Sequence, residues 1–425
     1  MTTNTTGQVR RRRVFYIPGY DPIPPRRYRE LYRKESGLQA GISGYHVEIT
    51  PKTPNKGPYG WHVQADIEEV SVDVDVDVLV WSDIVRTSMS NTILATYLQL
   101  ARTAWTYIGS GTLRRLMRLR KGPVIAALYP VGMLLLQLAL AVFTFWAVAG
   151  LVGWLGGRLE QVIWENRIFT PLFYPIIIVA LLAGFVSGLS VLRWFQARDG
   201  KLFAHYLMHD YAYSARFKGA NPPELEVRMR EFGDLIAQAL TQDLDEVLVV
   251  GHSSGAHLGV SVLADLIRAG KVPQDGPALG FLSLGQVVPM VSFLPEAHRL
   301  RADLRYLSMR DELAWIDVSA PGDGCAFAMC DPVSVSGVAP EGKKWPLVFS
   351  AAFTQTLSPE RWAELRWRFF RLHFQYLCAF DRPGDYDYFR ITAGPQTLAA
   401  RFDGRPASAS RIEKSVSKYT SVAAR

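Results

Sequence analysis

The chain has 425 residues, 49% of them apolar and 20% charged, with 47 Lys+Arg against 39 Asp+Glu for a net charge of +8. It is too apolar for a disordered protein and long enough for one large domain or two ordinary ones. Its three cysteines, with no CxxC or Cys/His cluster, exclude a disulfide scaffold and a zinc module and suit a reducing compartment.

No apolar stretch of signal-peptide length opens the chain, because the run after Arg10–Arg13 stops at Pro18. The arginine run has two readings, a contact with anionic lipid or a charged gatekeeper ahead of a buried strand. Val14 to Ile17 reads as that strand, ending in the turn formers Pro18-Gly19. A basic helical stretch, Arg26 to Glu35, is followed by alternating segments at Tyr45 to Ile49, Trp61 to Ile67 and Val70 to Val80. In the last, valine takes the even positions and Ser71, Asp73, Asp75 and Asp77 take the other face. Calcium is not expected there, since strict alternation spreads the carboxylates along a strand and lacks the glycine turn of a calcium loop.

A helix over Thr92 to Tyr107 precedes the basic cluster Arg114, Arg115, Arg118, Arg120 and Lys121. Then come two uncharged runs, 35 residues from Pro123 to Gly157 and 25 from Ile168 to Leu192. A bilayer core needs about 20 apolar helical residues, so both runs have the length of membrane spans. Trp146, Trp154, Trp164 and Trp194 fall near the expected interfaces. Basic residues concentrate outside the pair, at 114–121 and at Arg193, Arg198 and Lys201, whereas 158–167 is neutral overall. The positive-inside rule then puts both large flanks and both termini in the cytoplasm. An integral protein of a bacterial inner membrane, with two spans, is the expectation. Gly153/Gly157 and Gly184/Gly188 are small-xxx-small pairs that suit close packing of the two helices or homo-oligomer formation through them. The positive charge lies largely beside the spans and at Arg10–Arg13, so no nucleic-acid partner is expected.

After the spans the period changes. Pro223 to Gln242 has helical spacing, and Glu246 to Val250 is a β-rich apolar strand. Gly251-His252-Ser253-Ser254-Gly255 follows directly and opens a small-residue helix, Ala256 to Ala269. Further strands are predicted at Leu279 to Leu284, Glu312 to Val318 and Tyr388 to Thr392. The alternation implies an α/β fold with a mostly parallel sheet and helices on both faces, interrupted by a transmembrane helical hairpin. The expected divisions are 1–122 and 196–400 for the two parts of the sheet domain, 123–195 for the hairpin, and 401–425 for a disordered tail.

Gly251 to Gly255 fits G-x-S-x-G between an apolar strand and a helix, where the chain must reverse so tightly that side chains at the glycines would collide with their neighbours. With these residues the chain resembles the α/β-hydrolase superfamily, in particular its lipase-like and esterase-like members. The resemblance covers both soluble portions and not the apolar insertion. It implies Ser253 as nucleophile, with an acid and then a histidine downstream. Of the histidines after Ser253, His257 sits in the nucleophile helix and His298 precedes the last plausible acid strand, so the family order points to His373. For the acid it favours Asp323, in the loop after the strand, over Asp317 inside it and over the more distant Asp311 and Asp331. The family oxyanion hole maps onto the N–H groups of Ser254 and Tyr20, with Pro18 where the family has histidine.

The implied activity is a membrane-integrated serine hydrolase acting on lipid or lipophilic carboxylic esters, with no cofactor and no metal. An acyltransferase or thioesterase with the same triad, or a non-catalytic membrane scaffold, are the alternatives. Residues 321–360, rich in Gly, Pro and Ser, are candidates for a cover over the pocket.

Overall fold

The computed structural model describes residues 7–52, 57–89, 92–163, 172–202 and 204–423. The elements run β1 (Arg11–Ile17), α1 (Arg26–Ser43), β2 (His46–Pro51), β3 (Gly60–Ile67) and β4 (Val70–Val78), then α2 (Ser82–Ser88), α3 (Ile93–Gly109) and α4 (Thr112–Leu119). The long apolar helices α5 (Lys121–Ile163) and α6 (Phe173–Ala197) follow, then α7 (Asp199–Leu202), α8 (Ala204–Arg216) and α9 (Pro223–Ala239). The remainder is β5 (Glu246–His252), α10 (Ser254–Arg268), β6 (Ala278–Leu284), α11 (Val288–Ser292), α12 (His298–Leu307), β7 (Ala314–Ser319), α13 (Pro332–Val335) and β8 (Leu347–Ser350). Five short α-helices and one 3-10 turn, Gln375–Leu377, close the fold: α14 (Phe353–Thr356), α15 (Pro359–Leu365), α16 (Phe369–His373), α17 (Tyr388–Ala393) and α18 (Leu398–Arg401).

Among the described residues the eight strands form one sheet in the order β2-β3-β4-β1-β5-β6-β7-β8. Strand β3 is antiparallel to both its neighbours, and every other pairing is parallel. The first strand of the chain is therefore central, between β4 and β5, and the two apolar helices lie in the connection between those two strands.

The expected fold class holds at the level of an α/β chain with a largely parallel sheet. On one face Val14, Tyr16, Leu248, Val250, Leu282, Leu284, Ile316 and Val318 join the aromatic residues of α1 and α17 in a core. Against the other, α10 comes so close that a Cβ on Gly259 would lie 2.7 Å from the Phe281 ring.

Valines at 72, 74, 76 and 78 face that core, and the acidic face of β4 meets the protein's own basic side chains. Asp77 is fully buried against Arg13 at 2.6 Å and Lys52 at 2.7 Å, and His62 lies 3.2 Å from Asp75. The arginine run is likewise used internally. Arg12 is buried, with Nε donating to Glu246 at 2.5 Å and a guanidinium N–H donating to the Gly394 carbonyl at 2.8 Å. Arg11 pairs with Asp243.

Three expectations need correction. Tyr388 to Thr392 is helical, because the Asp387 carboxylate accepts from the N–H groups of Phe389 and Arg390 and caps α17. Residues 321–360 do not form a separate cover, since they supply β8 and a largely buried segment including Ala326–Cys330. The tail beyond Arg401 is placed along the body. Ile412 exchanges backbone hydrogen bonds with Met329 and Asp331, Val416 N–H donates to Val335, and Arg301 Nε donates to the Ser421 carbonyl.

The chain separates into two compact units, one of Met1–Ser88, Ala104–Ala126 and Tyr213–Arg425, the other of Met89–Thr103 and Ala127–Ala212. The second is wider than the apolar runs alone. It holds α6 and α5 from Ala127 onward; each helix is long and apolar enough to cross a membrane, and 17% of its most apolar stretch is buried. A core helix would be covered; Phe143, Trp146, Trp154, Phe185 and Trp194 are all exposed. Trp164, the fourth expected interfacial tryptophan, lies outside the described residues.

The buried stripe of α6 is Ala180, Gly184 and Gly188. A Cβ on Gly184 would stand 2.7 Å from the Phe145 carbonyl oxygen, and one on Gly188 2.9 Å from that of Ala141. These glycines therefore set how closely the helices approach. The other pair behaves differently, with Gly153 near Ala180 and Gly157 open. Gly188→Leu is expected to force α5 and α6 apart and to lower the detergent-solubilised midpoint of thermal unfolding by several degrees. Gly157→Leu, which meets open space, is expected not to lower it.

Candidate active site

Strand β5 is buried along its whole length and ends at His252, and α10 begins at Ser254. Ser253, between them, has φ 57° and ψ −120°, a left-handed conformation that costs a non-glycine residue on the order of 1–3 kcal/mol. The glycines on either side make the reversal possible. A Cβ on Gly251 would lie 2.7 Å from the Gly255 carbonyl oxygen. A Cβ on Gly255 would collide with the Ile17 carbonyl and stand 2.8 Å from that of Pro18. The head of α10 is thus pressed onto the end of β1. Ser254, as the first residue of α10, has an N–H with no carbonyl one turn behind it in the helix.

The Pro18-Gly19-Tyr20 loop leaves β1 beside this turn. Gly19 borders Ser253 directly, since a Cβ there would lie 3.1 Å from Ser253 Cβ and 3.5 Å from its Oγ. Trp81 Nε1–H donates to the Pro18 carbonyl at 2.9 Å, and the Tyr20 hydroxyl bonds Ser88 Oγ at 2.7 Å, so α2 and the segment before it hold the loop. On the other side, Ser253 N–H donates to the Leu284 carbonyl at 2.9 Å. The next residue, Gly285, has φ 52°, and a Cβ on it would stand 3.2 Å from His373 Cε1 and 2.6 Å from the Tyr376 ring. A side chain at 285 would displace the imidazole.

His373 ends α16 and follows β8, the last strand of the sheet. Its Nδ1 lies 2.7 Å from Asp323 Oδ2, with both side chains buried. Asp323 sits in the loop after β7, where Cys325 N–H donates to Oδ1 at 2.9 Å and the Tyr376 hydroxyl donates to Oδ2 at 3.0 Å. Burial raises the carboxyl, but the His373 charge and hydrogen bond, with the Cys325 and Tyr376 donors, outweigh it and hold its pKa below the ordinary value. A carboxylate accepting from Nδ1–H leaves Nε2 as the acceptor. No hydrogen bond joins Ser253 Oγ to the imidazole among the described residues; such contacts are often loose before substrate is bound.

His252 adds a second tie. Its Nε2–H donates to the His373 backbone carbonyl at 2.9 Å, with the two rings 4.8 Å apart. Burial and the neighbouring His373 push its pKa down to about 3, so it is neutral. Neither His252 nor Tyr376 stands out in the sequence as part of a site. Tyr376 follows His373 by three residues, and its hydroxyl also accepts from Ala320 N–H at 2.9 Å, a bridge that spacing alone does not reveal. Asp323, Cys325 and His373 bring three potential ligand atoms within 4.8 Å of one another, and the hydrogen bond between His373 Nδ1 and Asp323 Oδ2 already engages two of these residues.

The other candidates lie elsewhere. His257 is within α10, and His298 starts α12. Asp311 pairs with Lys344, and Asp331 caps α13 and pairs with Lys343. Asp317 is fully buried in β7 and accepts from Ser283 Oγ at 2.5 Å, while its Oδ2 has no partner. Burial, against that single donor, raises its pKa to about 8. Asp317 therefore carries its proton in the folded protein between about pH 4 and 8, while the unfolded chain has lost it. Stability from this group falls as pH rises through that window. Asp317→Asn keeps the Ser283 bond without the titration. Thermal unfolding is expected to show the variant more stable than wild type at pH 8 and level with it at pH 4.

In comparisons with known protein families, with curated proteins and with solved structures, the chain matches none of them.

Proposed function

We propose that this chain is a membrane-integrated serine hydrolase that cleaves lipid or lipophilic carboxylic esters through an acyl-enzyme. The observation that carries the reading is the 2.7 Å Asp323–His373 bond, with the imidazole against Gly285 and Ser253 on a strained turn one hydrogen bond away at Leu284.

In the proposed reaction His373 Nε2 takes the Ser253 proton as Oγ attacks the ester carbonyl. The N–H groups of Ser254 and Tyr20 would receive the oxyanion, and Gly19 lets the loop backbone approach. His373 then protonates the departing alcohol and activates the water that releases the acid. Asp323 fixes the imidazole tautomer and stabilises the imidazolium. No step needs a cofactor. The lipophilic substrate rests on α5 and α6, which we take as the two spans of a hairpin whose basic flanks put both termini and the triad in the cytoplasm.

A fluorophosphonate probe tests the core of this reading. Purified wild type is expected to be labelled and Ser253→Ala to be unlabelled. Failure to label folded wild-type protein would favour a non-catalytic scaffold, and labelling that persists in Ser253→Ala would move the nucleophile elsewhere.

A further inference from the structure

Helix α3 buries its polar side and exposes its apolar one. Thr96, Leu100, Thr103 and Tyr107 are buried, whereas Leu94, Leu98, Trp105 and Ile108 are 72%, 50%, 80% and 63% exposed. At 3.6 residues per turn those four exposed side chains fall within an arc of about 80° on one face of the helix. A surface helix packed only against its own protein would show the reverse arrangement.

The segment of chain that carries this face has charge of one sign. From residue 84 to residue 159 the chain contains no Asp or Glu. Arg102 lies on the flank of the exposed arc of α3, and Arg114, Arg118 and Lys121 project from α4 and the start of α5 with spacings of four and three. All four are exposed, and none makes a hydrogen bond or an ion pair with another described residue. Arg115 and Arg120, by contrast, donate to the carbonyls of Val416 and Pro321.

We infer that α3 is an interfacial helix, docked at an anionic bilayer surface with Leu94, Leu98, Trp105 and Ile108 toward the acyl boundary. Arg102, Arg114, Arg118 and Lys121 meet lipid phosphates. An apolar arc with a tryptophan, flanked by unpaired basic side chains, has the two attractions that bind such helices, apolar burial and charge. In the chain only the eight-residue helix α4 separates α3 from α5, the first apolar helix. The inference rests on the reading of α5 and α6 as membrane spans, and it assigns the preceding segment a membrane contact of its own.

Single cysteines at Leu98, at Ile108, at Val186 of α6 and at Glu48 of β2 would carry an environment-sensitive fluorophore. The full chain would be placed in nanodiscs of phosphatidylcholine and phosphatidylglycerol containing lipids spin-labelled near the headgroup or deep in the chain, with labelling of the native cysteines subtracted. Leu98→Cys and Ile108→Cys are expected to be quenched about twofold more by the shallow label than by the deep one, Val186→Cys more by the deep label, and Glu48→Cys by neither. Quenching at Ile108→Cys is expected to fall on replacing Arg114 and Arg118 with Glu, and in discs of phosphatidylcholine alone.

Quenching at Val186→Cys with none at Leu98→Cys and Ile108→Cys would overturn the interfacial role and leave the spans intact. Absence of quenching at Val186→Cys would remove the membrane reading itself. Protection of residues 98 and 108 from aqueous thiol reagents in native membranes, without quenching in nanodiscs, would assign the face to an acidic protein partner and overturn the lipid one.

Discussion

Asp323→Asn is expected to leave the protein folded and to lower kcat on a chromogenic ester by about four orders of magnitude, with little change in KM. The size follows from the orientation the amide must take. Cys325 N–H donates to Oδ1 at 2.9 Å and requires an oxygen there, which turns the new NH2 group toward His373 Nδ1. The imidazole then accepts at Nδ1 and carries its proton on Nε2, the wrong tautomer for receiving a proton from Ser253. Tyr376→Phe removes one of three donors to the same carboxylate and is expected to cost about tenfold, since the carboxylate and its bond to Nδ1 remain. A loss below tenfold in Asp323→Asn would show that the Asp323–His373 pair is structural. The stability contribution of Asp323 has the opposite pH sign to that of Asp317. Its folded-state pKa is depressed, so the stabilisation is complete above the ordinary carboxylate range and is lost as pH falls below it.

Periodicity exposed the sheet where a face is buried. The valines of β4 and the apolar run of β5 occupy the strands expected of them, because one-face or two-face burial leaves a mark in the sequence. It misled at Tyr388–Thr392, whose aromatic and β-branched residues suit a strand. Asp387, which caps the helix, and Gly394-Pro395, which end it, were signals in the sequence that composition obscured. The tail misled for a related reason. Its Ser, Ala, Lys and Arg content resembles a solvated segment, yet its anchorage is through backbone hydrogen bonds at Ile412 and Val416, which composition does not record. At the site, the turn around Ser253 was legible because tight reversal demands glycine. The bonds from His252 and Tyr376 depend on where distant segments meet. The exposed face of α3 was hidden because an apolar arc looks the same in sequence whether it turns inward or outward.

Gly255→Ala carries the second large effect, and comparison with Gly233→Ala isolates its cause. Both glycines lie within helices, where alanine is intrinsically better by about 1 kcal/mol. Around Gly233 of α9 there is nothing within 4 Å of the added methyl, so that substitution is expected to stabilise the protein by nearly the full propensity difference. At Gly255 the methyl collides with the Ile17 carbonyl and would stand 2.8 Å from that of Pro18, and both are backbone atoms that no rotamer change relieves. The end of β1 and the head of α10 must separate, at about 1–3 kcal/mol or more in thermal or urea unfolding. Because Gly19 of the same loop touches Ser253, that separation also moves the loop away from the serine, and kcat/KM is expected to fall at least about a hundredfold. The two measurements together are decisive. Lost stability with unchanged turnover would mean that the β1 loop is only a packing partner of α10, whereas loss of both supports its place beside the reacting carbonyl.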